Sequence, residues 1–422
     1  MPTYRATRSA RAGLSRSTDR RAAGTDTWSV SRRIEIQRRA QPVAPPRADD
    51  AGESRLVELL RSEIEQHGSL TFARFMARAL YEPRLGYYAT SEQRTTRGGD
   101  FLTAPEMHPL FGHVIARALD EMWQRLARPS QFVLREYGAG SGALGASIAE
   151  GLARIGTGLA DALDYQPVEL PGRQAMAGAG RGAGHGEHHG LGPMLGCVLA
   201  NEFLDALPVH RVIRRAGALH EVYVTWRDGR FADEVGPLST PALATWFTDA
   251  GVTLADGQRA EVCLAAADWL ADVAALLERG YVLAIDYAAE PAALYGADRF
   301  NGTLRAFREH HLGSNVLAGV GHQDLTATVD LGALRRAATG LDLGHLGTTS
   351  QAEFLVGSGL AEALADERAH QPDDLAAQLL LRSVVARLLD PRALGGYRVI
   401  VLGCEVPTEP PLAGLAYRIV PA

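Results

Sequence analysis

FVLREYGAGSGALGASIAEGL, Phe132–Leu152, is the stretch whose reading decides the fold. It opens as a short apolar strand, turns on Gly138, Gly140 and Gly142, and leaves as an Ala/Leu-rich helix over 143–155. Such a corner strips side chains from the head of a helix. A ligand can then approach the backbone, and the free N–H groups there attract hydrogen-bond acceptors. Further along, apolar runs alternate with helical patterns: FVLREY, YQPVEL, CVLANEF, and YVLAIDY behind the helix CLAAADWLADVAALLERG. Short apolar strands separated by helices predict an α/β fold built on a parallel, doubly wound sheet.

The flanking chain reads differently. Residues 52–128 predict an N-terminal helical subdomain. SRLVELLRSEIEQHG has Ser54 as cap and Gly68 as stop, and SLTFARFMARALYEP places Phe72, Phe75, Met76 and Ala79 on one face before Pro83 ends it. A loop, RLGYYATSEQRTTRGGDFLTAPEMHP, precedes a third helix, LFGHVIARALDEMWQRLA. Within 129–422, the segment of about 211–260 has the texture of a β-rich insertion, with strands joined by Gly-containing turns. YRVIVLG and GLAYRIV read as a closing antiparallel pair, and 171–192 as a low-complexity loop. Residues 1–50 are rich in Arg and Ser and bury too little apolar surface to offset ordering entropy. They read as a disordered extension, with a mitochondrial transit peptide as the alternative.

Bulk composition narrows the function classes. The 422 residues are 46% hydrophobic and 22% charged, as in a globular protein, with a formal charge of −6. That balance argues against a general nucleic-acid binder, and no apolar run approaches the roughly 20 residues of a membrane span. Three distant cysteines make neither a disulfide framework nor zinc spacing, which points to a reducing compartment. All 43 Lys+Arg positions are arginine. With the abundance of Ala and Gly, this suggests a GC-rich bacterial genome and a cytoplasmic chain, the mitochondrial matrix being the alternative.

Gly138, Gly140 and Ala143 satisfy G-x-G-x-x-A, so a dinucleotide reading is open, as is a purely structural corner. Two features favour another ligand. Glu169 ends the next strand, and an acid there can accept from both ribose hydroxyls of any adenosine ligand. Glu136 beside the corner would repel a pyrophosphate and suits a ligand with a cationic amino-acid end, such as S-adenosylmethionine. A second constellation, NEFLDALPVH, puts Asn201, Glu202 and Asp205 at the carboxyl end of a strand, where doubly wound sheets bind ligands. Asn201 and Asp205 are each also plausible helix caps. Two acids in one short turn suit a cationic nucleophile, and a carboxylate–guanidinium pair fits best. A third, RGGDFLTAPEMHPLFG, carries Asp100, Thr103, Pro105, Glu106 and His108 ahead of a helix, as a ligand-covering loop would.

Six segments in order resemble the signature of the MidA family: GGDFLTAPEMHPLFG, EYGAGSGAL, NEFLDALPVHRV, IDYA, GTLRAFREHH and DLTATVDLGAL. The resemblance spans roughly residues 70–415. It implies a Rossmann-like class I methyltransferase core, an N-terminal helical subdomain, an insertion after the fourth strand, S-adenosylmethionine as cofactor, and methylation of arginine in a protein substrate. Mitochondrial members of the family assist assembly of respiratory complex I, which implies a respiratory quinone-oxidoreductase subunit as one possible partner and a homodimer as one possible assembly. By position, the cofactor side would comprise Glu136, Gly138, Gly140, Gly142, Glu169 and Asn201; the catalytic side would comprise Glu202, Asp205, Asp100 and Glu106. The family's usual Gly-Pro-Gly-Arg-Gly is Gly-Ala-Gly-Ser-Gly here, and the stretch between Glu169 and Asn201 is shorter. An assembly factor with a vestigial pocket and a nicotinamide-dependent reductase are the rival readings.

Methylating a guanidinium requires that a proton leave, and His210 and His310 are candidate acceptors. No metal is required. His185, His188 and His189 lie in a glycine-rich loop without the scaffold a zinc site needs.

Overall fold

In the computed structural model the Phe132–Leu152 stretch forms a strand, a glycine corner and the helix Ala143–Ile155. The described residues are 52–89, 104–169, 192–308, 311–313, 315–370 and 374–419. In chain order, the strands of the two large sheets are β1 (Leu70–Thr71), β2 (Phe132–Tyr137), β3 (Leu163–Val168), β4 (Met194–Asn201), β5 (His210–Arg215) and β6 (Ala218–Arg227). They continue with β7 (Arg230–Gly236), β8 (Arg259–Val262), β9 (Leu277–Asp286), β10 (Gly344–Ser350) and β11 (Arg398–Cys404).

The main sheet has the order β10-β11-β9-β4-β2-β3. Its β3, β2, β4 and β9 run parallel, with Leu134 opposite Tyr165 on one side and Cys197 on the other, and Val198 opposite Val282. β11 is antiparallel to both β9 and β10. Helices cover both faces, which is why the central strands are nearly continuous apolar runs. One face packs Leu199, Leu283 and Ile285 against Phe111, Ile115, Ile148 and Leu152; the other packs Val198 and Val282 with Trp269, Leu270 and Leu334.

Polar residues inside this sheet are matched by neighbours. Arg135 lies mid-strand in β2 and is 2% exposed. Its guanidinium donates to Gln166 Oε1 at 2.9 and 3.2 Å and to the Gly192 carbonyl at 3.2 Å. Burial lowers its pKa, and those acceptors keep the buried charge tolerable.

The second sheet has the order β1-β6-β5-β8, with β7 on the free side of β6. β5, β6 and β7 form an antiparallel meander within the expected insertion, followed by the helix Ala242–Asp249. β1, from the N-terminal segment, pairs with β6 through Leu70–Val224 and Thr71–Tyr223. The helices Ser54–His67 and Phe72–Tyr81 thus pack Leu56, Leu60, Phe72, Phe75 and Met76 against Val224 and Phe231 of the insertion. The described residues belong to one compact unit.

Three local expectations need correction. The first helix is capped by Glu53, whose carboxylate accepts from Arg55 N–H at 3.1 Å; Ser54 is already helical. GLAYRIV is no strand. It contains the turn Ala413–Ala416, with Leu412 and Leu415 buried, and Ile419 N–H is held by Glu353 Oε1 at 3.2 Å. The antiparallel partner of β11 is instead GHLGTTS, whose weakly apolar sequence hides a strand paired on one side only. Residues 1–50 and 171–191 lie outside the described residues.

Leu199 is fully buried in the central strand β4. Leu199→Ala is expected to destabilise the fold by about 2–5 kcal/mol through lost burial and a residual cavity. Urea unfolding with an unshifted midpoint would contradict this packing.

Candidate functional site

The carboxyl ends of β2, β3, β4 and β9 meet at one edge of the main sheet, and the candidate residues gather there. At the glycine corner, Gly138, Gly140 and Gly142 have φ of +71°, +54° and +74°, the left-handed region that side chains disfavour. A Cβ on Gly142 would meet nothing within 4 Å, and one on Gly140 only the Gly138 carbonyl at 3.9 Å. The corner therefore faces open space. Glu169, exposed beyond the end of β3, accepts from Gly140 N–H at 2.7 Å and ties the two strand ends together.

Glu136 is 3% exposed, and its Oε2 accepts from Tyr165 O–H at 2.8 Å. Burial raises its pKa to about 7, against the lowering effect of that hydrogen bond and with a further raise from Glu169. The acid beside the corner is thus present but covered, and only about half ionised near neutral pH. Tyr165 is pushed up by its own burial and by Glu136, so it remains a neutral donor.

The NEFLD turn follows β4. Asn201 Nδ2 donates to Glu202 Oε1 at 3.4 Å, while its buried Oδ1 has no hydrogen-bond partner among the described residues. Glu202 adopts φ +50°, a left-handed conformation costly for a residue with a side chain. Its carboxyl receives a backbone hydrogen bond from Ala104 and lies within electrostatic reach of Glu106, in the short helix Ala104–Met107. Tyr397 O–H is 3.5 Å from Glu202 Oε2. Burial and then Asp286 raise the Glu202 pKa to about 7. The pKa of Asp205 is raised well above the usual carboxylate range by burial, then by Asp286, Asp324 and Glu202. Among the described residues, neither Glu202 nor Asp205 has an ion-pair partner.

What organises this turn is Asp286, the last residue of β9 and 2% exposed. Its Oδ2 accepts from three consecutive N–H groups, Phe203 at 3.1 Å, Leu204 at 2.8 Å and Asp205 at 3.3 Å, and its Oδ1 accepts from Tyr287 N–H at 2.7 Å. Burial raises its pKa to about 6 against the lowering effect of those four donors. The sequence reading took in Asp286 only as part of IDYA; an acid ending a central parallel strand was the available signal for its role.

The backbone N–H groups of the turn are shared between two acids: Asp286 accepts from Phe203, Leu204 and Asp205, and the Asp205 carboxyl accepts from Ala206 N–H. At the head of the helix Leu110–Arg125, His108 Nδ1 accepts from Leu110 N–H at 3.0 Å. His210 lies at the start of β5, and its Nδ1 is 2.7 Å from Glu221 Oε1, an acid with 0% exposure. Asp100, Thr103, His185, His188, His189 and His310 lie outside the described residues. No helix among the described residues is long and apolar enough to cross a membrane.

Comparison with known proteins adds an independent line. Residues 114–348 match the model of a family described as "Putative S-adenosyl-L-methionine-dependent methyltransferase". The protein named protein arginine methyltransferase NDUFAF7 homolog, mitochondrial, of Drosophila melanogaster is 27% identical over 390 residues, covering 84% of this chain and 86% of that protein. The Rattus norvegicus protein arginine methyltransferase NDUFAF7, mitochondrial, is 29% identical over 369 residues, covering 80% and 81%. A COG1565 superfamily member from Burkholderia thailandensis, crystallised bound to S-adenosyl-homocysteine, superposes with a TM-score of 0.75 at 31% identity, covering 89% of this chain and 97% of that one. The parallel sheet with its glycine corner and the match across both sheets agree, and the chain belongs to the MidA family of S-adenosylmethionine-dependent methyltransferases.

Proposed function

We propose that this chain transfers a methyl group from S-adenosylmethionine to an arginine guanidinium of a protein. The observation carrying this reading is the pair of turn acids, Glu202 and Asp205, held beside the open glycine corner without a cationic partner among the described residues. The residues present suit the cofactor. Gly140 and Gly142 leave room at the backbone, Glu169 suits the ribose hydroxyls, and Asn201 Oδ1, without a hydrogen-bond partner among the described residues, can accept from the amino-acid end. Glu136 favours a cationic over a diphosphate ligand, although its buried, half-ionised state makes that preference weaker than a free carboxylate would. When bound, S-adenosylmethionine supplies an electrophilic methyl carbon.

The chain's own residues would do the rest. Carboxylates at Glu202 and Asp205 orient the planar guanidinium and balance its charge. Glu202, with a pKa near 7, is suited to accept the proton that must leave the guanidinium nitrogen. Asp286 acts as a positioning residue by fixing the turn, and Tyr397 supplies a neutral hydroxyl beside Glu202. Glu106 and, from the loop outside the described residues, Asp100 complete the acidic surround in this reading. The names of the relatives support a protein acceptor, and a quinone-oxidoreductase subunit is one candidate. The lysine-free composition supports a bacterial cytoplasmic setting.

Transfer of labelled methyl from S-adenosylmethionine to arginine-containing protein, followed by amino-acid analysis, tests the reading directly; label recovered only outside arginine refutes it. Gly140→Arg places a side chain in the open corner at φ +54° and is expected to abolish S-adenosylmethionine binding while the far-ultraviolet circular dichroism stays native. Unchanged affinity by calorimetry would take the corner out of the site. Asp286→Asn is expected to leave S-adenosylhomocysteine affinity within about threefold and to lower kcat with an arginine acceptor by about a hundredfold, the loss typical of a mispositioned catalytic group. A full kcat would show that the turn needs no such anchor.

The raised carboxyl pKa values also give a signed pH dependence. A bound cation favours ionised Glu202 and Asp205, so binding an arginine peptide should release protons near pH 6.5. Affinity should climb with pH through about 7, where Glu202 of the free protein is half ionised, and flatten only well above that. Calorimetry in buffers of different ionisation heat reads the released protons directly, and a pH-independent affinity would contradict the clamp.

A further inference from the structure

Carboxylates attract any cation, so the turn acids do not by themselves distinguish a planar guanidinium from a compact lysine ammonium. A feature that can make the distinction is a tyrosine pair built by the N-terminal segment. Tyr81 ends the helix Phe72–Tyr81, after which the chain doubles back. Gly86 permits the reversal: a Cβ there would fall 2.5 Å from Glu82 N and 2.7 Å from the Leu80 carbonyl. Tyr87 N–H then donates to the Ala79 carbonyl and Tyr88 N–H to the Leu80 carbonyl, both at 2.9 Å, which lays the returning strand on the last helical turn. The rings of Tyr81 and Tyr88 stack with centroids 5.5 Å apart at 19°, and Tyr87 meets Tyr88 edge-on at 5.1 Å and 79°.

Both hydroxyls are anchored in the acidic region. Tyr81 O–H donates to the Ala206 carbonyl at 2.8 Å, one residue beyond Asp205, and Tyr88 O–H donates to Asp324 Oδ1 at 2.8 Å. The segment after Asp324 closes on the same turn, with Ala327 N–H donating to the Asp205 carbonyl at 2.8 Å. Burial and then Asp324 raise both phenols well above their usual range, so they stay neutral donors. Tyr81 also feels both Asp205 and Glu169, which places it within reach of the acceptor-side and the cofactor-side acids. Yet Tyr88 remains 37% exposed. A partly exposed ring whose hydroxyl is tied down and whose position is backed by a second ring can serve as a platform. The chain uses the matching contact elsewhere: Arg211 lies 5.0 Å above the Phe72 ring and Arg305 lies 5.3 Å above Tyr287.

We propose that Tyr88, backed by Tyr81, is the surface on which the acceptor guanidinium stacks, and that this pair selects arginine over lysine. The proposal rests on the reading of the turn acids as the acceptor site. Stacking adds a contact that only the planar group can make, about tenfold in affinity at a partly desolvated site.

The test uses the full chain saturated with S-adenosylhomocysteine and two blocked pentapeptides, Gly-Gly-Arg-Gly-Gly and Gly-Gly-Lys-Gly-Gly. The wild type is expected to bind the arginine peptide about tenfold more tightly, with an upfield ring-current shift of its arginine δ-methylene protons. Tyr88→Leu should bring the two affinities within about twofold while S-adenosylhomocysteine affinity is unchanged, and Tyr88→Phe should keep most of the preference. A preserved preference in Tyr88→Leu, or the absence of a ring-current shift in the wild type, overturns the platform and leaves arginine methylation standing. A wild type that shows no preference and, with S-adenosylmethionine in place of S-adenosylhomocysteine, does not methylate the arginine peptide overturns both. The ring-current measurement on the wild type decides the matter even if Tyr88→Leu fails to fold.

Discussion

A single carboxylate, Asp286, holds together the end of the sheet on which everything else depends. β4 and β9 run side by side, and both stop at the same level. The chain leaving β4 must turn sharply there, which exposes a run of N–H groups to a site where unpaired donors are costly. Asp286, fixed at the tip of the neighbouring strand, takes three of them with one oxygen and Tyr287 N–H with the other. Four donors favour the ionised form, and burial opposes it. The balance leaves the pKa about two units above the ordinary value, near 6, so burial outweighs the donors without neutralising the group at pH 7.

Around that anchor the turn accepts strain and crowding that an ordinary loop would shed. Glu202 sits at positive φ, its carboxyl lies near Asp286 and Glu106, and Asp205 is raised further by three other acids. Backbone in a disfavoured region and like charges packed together each work against folding. They persist where the surroundings over-determine them, which is typical of functional sites. A cation entering the turn would relieve the repulsion, so what weakens the free protein strengthens the complex.

Much of this was legible from residue patterns. The strand–glycine–helix corner, the alternation of apolar strands with helices, and the acid pair after CVLAN each rest on short-range periodicity and turn chemistry, which a sequence displays directly. The pieces that escaped are those decided by distant partners. Nothing local marks GHLGTTS as a strand; its place is set by pairing with β11. Glu136 reads as an exposed acid beside a ligand until Tyr165, from the next strand, is seen covering it. The acid that holds His210 Nδ1, Glu221, likewise lies across a hairpin. Asp286 and the Tyr81–Tyr88 pair lie about 80 and 120 residues from the turn they support, too far for spacing to reveal.

The two-residue strand Leu70–Thr71 carries a consequence for biosynthesis. Its partner, β6, lies about 150 residues downstream, and so does much of the surface that covers Phe72, Phe75 and Met76. At translation rates of roughly 5–20 residues per second, those apolar side chains leave the ribosome about 8–30 seconds before their cover exists. The first helices must therefore wait as exposed, sticky chain while the glycine corner and its sheet are being made. Dependence on holdase chaperones at that stage follows from the order in which the polypeptide is written, even for a finished fold that is stable.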